Sequence, residues 1–227
     1  MLQTDFKVSK YQRQLGISDE DYLDMRLKSA PRLCSYEIMS CLRSSKAALL
    51  EHISGTEFVQ ENLDMGNLSK NKTGNIIQKL HSIAGRPPQN KLEIELPDWL
   101  SDRHAHRLEC EKEIQIYEKI AELTKKISYS REERKAKHLL ELLENHKLLI
   151  AFDSHIISLS DIKQRIEKLG RDFQKVIIAT GDDKTYRKQV NKLLKLGSTA
   201  SGVIALCSDA MSEGVNLQQA SIDILRS

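Results

Sequence analysis

The chain reads as an α/β protein: a small parallel sheet with flanking helices, preceded by a mostly α-helical region. Two observations predict this. Between residues 148 and 225, four short apolar runs (148–152, 175–179, 203–207 and 222–225) are separated by helical or polar segments. Strand, helix, strand, helix, strand calls for parallel strands joined by crossovers. Upstream, residues 18–145 carry helix caps and apolar positions at steps of three and four, the signature of amphipathic helices.

With 227 residues the chain holds one large domain or two small ones. A hydrophobic content of 40% supports a core, and 30% charged residues imply much exposed helix surface. The net charge of +3 is too small to argue for nucleic acid by itself. No apolar run reaches the roughly 18 residues of a membrane span. The first ten residues alternate polar and charged types and lack the apolar stretch of a signal peptide. Cys34, Cys41, Cys110 and Cys207 are scattered, with no Cys-x-x-Cys pair. They read as reduced thiols, and a cytoplasmic location is expected.

Residues 1–17 are polar and expected to fray. Ser18 caps a helix whose first turn holds Asp19, Glu20 and Asp21, where carboxylates suit the helix dipole. Pro31 is expected to interrupt it. A second helix is predicted over 35–53, with Ile38, Leu42, Leu49 and Leu50 apolar. Residues 54–100 are punctuated by Gly55, Gly66, Gly74, Gly85, Pro87, Pro88 and Pro97 and read as a flexible connection or insertion. Within them, 66–73 misses a phosphate-binding P-loop by one residue, Asn71 standing where the second glycine belongs. No buried strand precedes it, so it reads as a polar loop.

Two helices follow, predicted as an antiparallel hairpin over 101–145. In the first, Ile116, Ile120, Leu123 and Ile127 repeat at steps of four, three and four. This stripe is predicted to face the core, with a partner-binding groove as the second reading. Ser130 and Glu133 form the pattern of a capping box for the second helix, which carries Leu139, Leu140, Leu142 and Leu143. His106 and Cys110, four apart, would face one way with His104 nearby, but no fourth zinc ligand is evident. They read as partly exposed helix residues, and no metal site is assigned. In the sheet region Ser160 is predicted to cap a helix ending at Gly170, and Asp182 or Asp183 to start one ending at Gly197. The predicted division is therefore 1–100, 101–145 and 146–227.

The most informative stretch is 202–221. After the apolar run 203–207 comes a polar loop with Ser208, Asp209, Ser212, Glu213, Gly214, Asn216, Leu217, Gln218 and Ala220. Open α/β sheets place ligand chemistry at such carboxyl ends of strands. The loop closely resembles motif V of superfamily-two helicases, in the Swi/Snf-type pattern Ser/Thr-Asp-x-x-Ser-Glu-Gly-x-Asn-Leu-Gln-x-Ala, with every fixed position present. Residues 149–154, Leu-Ile-Ala-Phe-Asp-Ser, resemble motif IV. Thr180-Gly181-Asp182, followed by Arg187, resembles the Thr-Gly turn after the next strand. Upstream, 39–50, Met-Ser-Cys-Leu-Arg-Ser-Ser-Lys-Ala-Ala-Leu-Leu, resembles the Leu-x-Arg-Ser-Ser-x-x-Ala-Leu segment that lies between the two motor domains of bacterial Swi/Snf-type proteins.

The resemblance implies that 146–227 is an incomplete second RecA-like domain of an ATP-dependent translocase or helicase. It implies that Thr180 and Gly181 offer hydroxyl or amide groups to a phosphate of the tracked strand, with Ser208 and Asp209 beside that strand. It implies that Gly214 and Asn216 face the nucleotide, while Glu213 and Gln218 hold the loop's shape. ATP and Mg2+ would belong to the complete protein, with DNA (double-stranded for preference) or RNA and a first RecA-like domain as partners. No Walker A lysine and no Asp-Glu-x-His motif is present, and the chain stops at Ser227 before the arginines of motif VI. A fragment inactive by itself is expected, with no catalytic residue assigned. The alternative is a non-catalytic RecA-like scaffold whose helical region binds a protein partner. Lys184, Arg187, Lys188, Lys192 and Lys195 read as a solvated helix face first and as phosphate contacts second.

Overall fold

The computed structural model describes residues 5–63, 65, 74–169, 175–181, 184–211 and 221–224. They form ten helices and four strands, and the chain divides into two compact units. The first comprises residues 1–40, 52–54 and 74–123; the second comprises 41–51, 55–73 and 124–227.

The first unit is helical. Helix α1 (Lys10–Gln14) starts from a capping box between Ser9 and Gln12. The segment before it does not fray among the described residues: Phe6 and Val8 are buried. Phe6 is held by backbone bonds to Gln89 and Lys91 at 2.9 Å each, so a stretch that looks polar contributes two apolar anchors. Helix α2 (Asp19–Ser44) begins as predicted, Ser18 Oγ accepting from Asp21 N at 3.0 Å. It then runs through Pro31 instead of breaking. Proline forgoes one backbone bond and kinks a helix, and here the turns on either side carry it. Ser18→Ala is expected to cost about 1 kcal/mol, read as a lower denaturation midpoint with an unchanged slope.

The described residues of the 54–100 region are structured, contrary to the reading of a flexible connection. It contains α4 (Thr56–Asn62), α5 (Ile76–Ile83) and α6 (Asp98–Ser101), following α3 (Lys46–Ser54). Val59, Leu80, Leu92, Leu96 and Leu100 are buried, which glycine and proline counts do not register. The P-loop-like run 66–73 lies outside the described residues.

Helix α7 (Arg103–Lys125) corrects two expectations. Its buried face is Cys110, Ile114, Tyr117, Ala121 and Thr124. Three of the four residues of the predicted core stripe are outside: Ile116 is 58% and Leu123 56% exposed, with Ile127 exposed as well, while Ile120 is half-buried. Two apolar series share this helix, and the one with aromatic and small members won the interior. His106 and Cys110 are both fully buried, Sγ lying 3.8 Å from Nδ1, while His104 is exposed. Burial depresses the His106 pKa and raises that of the Cys110 thiol.

The second unit holds the sheet. Strands β1 (Leu148–Asp153), β2 (Lys175–Ala179), β3 (Val203–Ser208) and β4 (Ser221–Ile224) are all parallel, in the order β2-β3-β1-β4. Alternate residues feed two cores. Leu149, Ala151, Ile204 and Leu206 pack with Ala136 and Leu139 of α8 (Ser130–Asn145) and Leu159, Ile162 and Ile166 of α9 (Ile156–Leu169). On the opposite face Leu148, Ile150, Ile177, Ala179, Val203, Ala205 and Cys207 pack with Val190 and Leu194 of α10 (Lys184–Leu194). Apolar residues on both faces are what a covered parallel sheet requires. The predicted caps fail here. Ser130 is the first helical residue of α8, whose N-cap Tyr129 makes no side-chain bond. Ser160 lies inside α9, donating to Ile156 O at 3.1 Å. Gly170, Asp182 and Asp183 fall outside the described residues. Among the described residues, no helix is long and apolar enough to cross a membrane.

Candidate functional site

Because the four strands are parallel, their carboxyl ends share one edge. The register pairs Asp153 with Ser208 across β1 and β3, and Ala179 with Cys207 across β2 and β3. Thr180, one residue beyond Ala179, therefore stands level with Ser208, and Ser208 with Asp153. Neighbouring strands lie about 4.8 Å apart, so three polar residues form a short row. Thr180 and Gly181 are half-buried. Ser208 is 7% exposed, and its Oγ has no hydrogen-bond partner among the described residues. Asp209 opens a single 3-10 turn, Asp209–Met211, that seats Met211 in the α10-side core. Thr180, Gly181, Ser208 and Asp209 are thus brought to one edge. Glu213, Gly214, Asn216 and Gln218 lie outside the described residues. On the neighbouring helix, Lys188, Lys192 and Lys195 are exposed at steps of four and three, turned away from buried Val190 and Leu194.

Beneath this edge lies a buried polar network that sequence reasoning did not find. Asp153 Oδ1 accepts from Ser44 Oγ at 2.6 Å and from His155 N at 2.8 Å. Ser158 Oγ lies 2.6 Å from both Ser44 Oγ and Ser45 Oγ. Ser45 Oγ also caps α3, accepting from Ala48 N at 2.9 Å. Lys135 Nζ donates to Ser44 O at 3.0 Å. His155 Nε2 faces Cys41 Sγ at 3.4 Å, and its Nδ1 faces Ser154 Oγ at 3.0 Å and Asp153 Oδ1 at 3.6 Å. The junction between α2 and α3 is therefore fastened to the end of β1. This links the Arg43-Ser44-Ser45-Lys46 segment to the Asp153-Ser154 strand end, two short motifs far apart in the chain.

Charge reinforces the join. Burial alone would raise the Asp153 carboxyl, but hydrogen bonds from His155 and Ser44 hold it below the usual range. The bonds from His155 to Asp153 and Cys41 outweigh burial and push its pKa up to about 9. A second brace lies nearby. Glu132, buried, accepts from Lys46 N at 3.0 Å and Arg131 at 2.8 Å. Burial opposes its ionisation, yet these donors keep the carboxyl low. Lys46 Nζ donates to Lys125 O and Ile127 O at 2.7 and 2.9 Å, and Lys46 and Arg165 both lie over the Tyr129 ring, at 4.3 and 4.4 Å.

The described residues at the strand ends are Asp153, Ser154, His155, Thr180, Gly181, Ser208 and Asp209, with no lysine or arginine among them. Hydroxyls and backbone amides can hold one phosphodiester oxygen. That set does not fit a triphosphate with Mg2+, whose charge calls for cationic groups, and no hydrolytic step is derived through it. No family model, curated protein or solved structure matches the chain.

Proposed function

We propose that the second unit is an incomplete RecA-like domain of a Swi/Snf-type, ATP-dependent nucleic-acid translocase, and that its carboxyl strand edge contacts the phosphodiester backbone of DNA. The observation that carries this reading is the level row of Thr180 and Ser208 on adjacent parallel strands, with the Ser208 hydroxyl buried and unpartnered among the described residues. The motif V resemblance of 208–220 supports it. In this reading Thr180, Gly181, Ser208 and Asp209 lie along the tracked strand, and Gly214 and Asn216 lie toward ATP, which a first RecA-like domain helps to hold. Glu213 and Gln218 support the loop, and the protein works in the cytoplasm on duplex DNA in preference to RNA.

The test is fluorescence anisotropy with labelled duplex DNA and RNA across a salt series. Affinity is expected to fall with salt to the extent that Lys188 and Lys192 of α10, and Lys195 just after it, neutralise phosphates, whereas the hydroxyl and amide contacts of the strand edge carry no counterion release. Thr180→Ala and Ser208→Ala are each expected to weaken binding roughly twofold to tenfold, the worth of one hydrogen bond. No binding even at low salt, or no response to either substitution, would overturn the reading.

A second reading is favoured by one observation, the exposed Ile116 and Leu123 of α7. In it the RecA-like domain is a non-catalytic scaffold and the helical region binds a protein. Leu123→Asp would then abolish partner binding and leave DNA affinity unchanged.

A further inference from the structure

Helix α2 carries an unpartnered face within the first unit. Met25, Ser29, Arg32, Tyr36 and Met39 recur at steps of four, three, four and three, and all are exposed. Met25 is 49%, Tyr36 63% and Met39 51% exposed, and Leu33 beside them is 66%. That spacing is the seam of a heptad, which stays on one side of a helix for as long as it continues. From residue 25 to 39 it runs for about 21 Å at 1.5 Å per residue. Tyr22, one step further back on the same seam, is buried, so the exposed face begins at Met25; the opposite side of the helix, with Leu23, Leu27, Cys34 and Ile38, is half-buried. Met, Tyr and Arg are the residue types enriched where proteins meet.

The charge pattern selects the occupant. Lys28, flanking the seam, is matched by Asp24 at 2.7 Å. Arg32, in the middle of the seam, makes no hydrogen bond or ion pair among the described residues. Covering the face with a purely apolar surface would bury that guanidinium unpaired, which is strongly unfavourable. A parallel second copy would set two Arg32 side chains against each other. An antiparallel copy would bury two guanidinium groups with no carboxylate in the seam.

We propose that this face of α2 is a docking surface for an amphipathic helix of a partner protein, one that carries a carboxylate in the core position opposite Arg32. Met25, Tyr36 and Met39, with Leu33 at the seam's edge, supply the apolar contacts, in which methionine adapts to the partner's shape. Ser29 is the small member of the seam and leaves a hole that a large side chain of the partner can fill. Arg32 sets register and selects the partner, as a single polar core position does in paired helices.

The probes are two labelled synthetic helices of about three leucine heptads, identical except for Glu or Lys at the central core position. Binding to the 227-residue chain is read by anisotropy, and self-association by sedimentation. The Glu helix is expected to bind about tenfold more tightly than the Lys helix, because like charges brought together in an interface are strongly disfavoured. Arg32→Glu, at an exposed position, is expected to invert that preference. Equal affinities, or no binding of either helix, would overturn the proposal. So would a concentration-dependent dimer of the chain that Met39→Asp abolishes, which would make a second copy the occupant.

Discussion

Asp153→Ala is expected to lower the unfolding free energy by about 3–5 kcal/mol, the range for removing one member of a buried charged pair. The carboxylate is buried at the end of β1 and serves three groups at once: the Ser44 hydroxyl, the His155 amide and the His155 ring. Its removal leaves two donors and an imidazolium without their acceptor. Ser44→Ala removes only the hydroxyl and leaves Asp153 its His155 partner, so about 1–3 kcal/mol is expected. Urea titration followed by circular dichroism measures both, and an unchanged slope would place the effect in stability and not in compactness. A cost below about 1 kcal/mol for Asp153→Ala would mean that the network contributes little to the join between the α2–α3 junction and the sheet.

That network marks the limit of what the sequence discloses. The strands are legible to within a residue or so, because a buried parallel strand is a continuous apolar run bounded by polar residues, and 148–152, 175–179 and 203–207 have no competing reading. The strand-end residues are legible for the same reason: once β2 and β3 are placed, Thr180 and Ser208 must stand at the same edge. Helix starts are less legible. Ser160 and Ser130 have the right chemistry for caps, but α9 begins earlier, at Ile156, where the His155 carbonyl accepts from Ser158 N at 2.9 Å and Asp153 holds the His155 amide. A local bond from the Asp153 carboxylate, two residues back, sets that boundary, upstream of the serine whose chemistry suggested a cap. The stripe of α7 fails differently. Periodicity reports that 116, 120, 123 and 127 share a side, and equally that 110, 114, 117, 121 and 124 do. Which side faces the interior depends on what packs there. The Ser44–Asp153 and Ser44–Ser158 bonds join residues 109 and 114 apart, and a pair of serines reads as an ordinary helix break until the strand that receives them is known.

The second large effect is a dependence on pH set by His155. Its folded pKa of about 9 lies above the ordinary histidine value of 6.5, so the folded chain holds a proton that the unfolded chain releases between those values. Stability therefore falls as pH rises across this window: the contribution is complete below about pH 6.5 and gone above about pH 9. The geometry supplies the cause, since each ring nitrogen has its own acceptor, Sγ of Cys41 for Nε2 and oxygens of Ser154 and Asp153 for Nδ1. With the side chain 22% exposed, solvent screening trims the effect to about 1–3 kcal/mol between pH 6 and 9.5. Lys135, whose pKa burial depresses and Asp153 partly restores, belongs to the same cluster, so the diagnostic quantity is a difference. His155→Gln keeps a neutral polar side chain and should flatten the profile between pH 6.5 and 9 while leaving the alkaline loss due to other groups. Parallel profiles for the two proteins would place the titrating group elsewhere. Asp153→Asn supplies the complementary arm: without the carboxylate the imidazolium loses its principal stabilising partner, and the midpoint of the pH-dependent loss should move down toward 6.5. A variant that lowers stability at every pH without moving that midpoint would show a packing role for Asp153 and no electrostatic one.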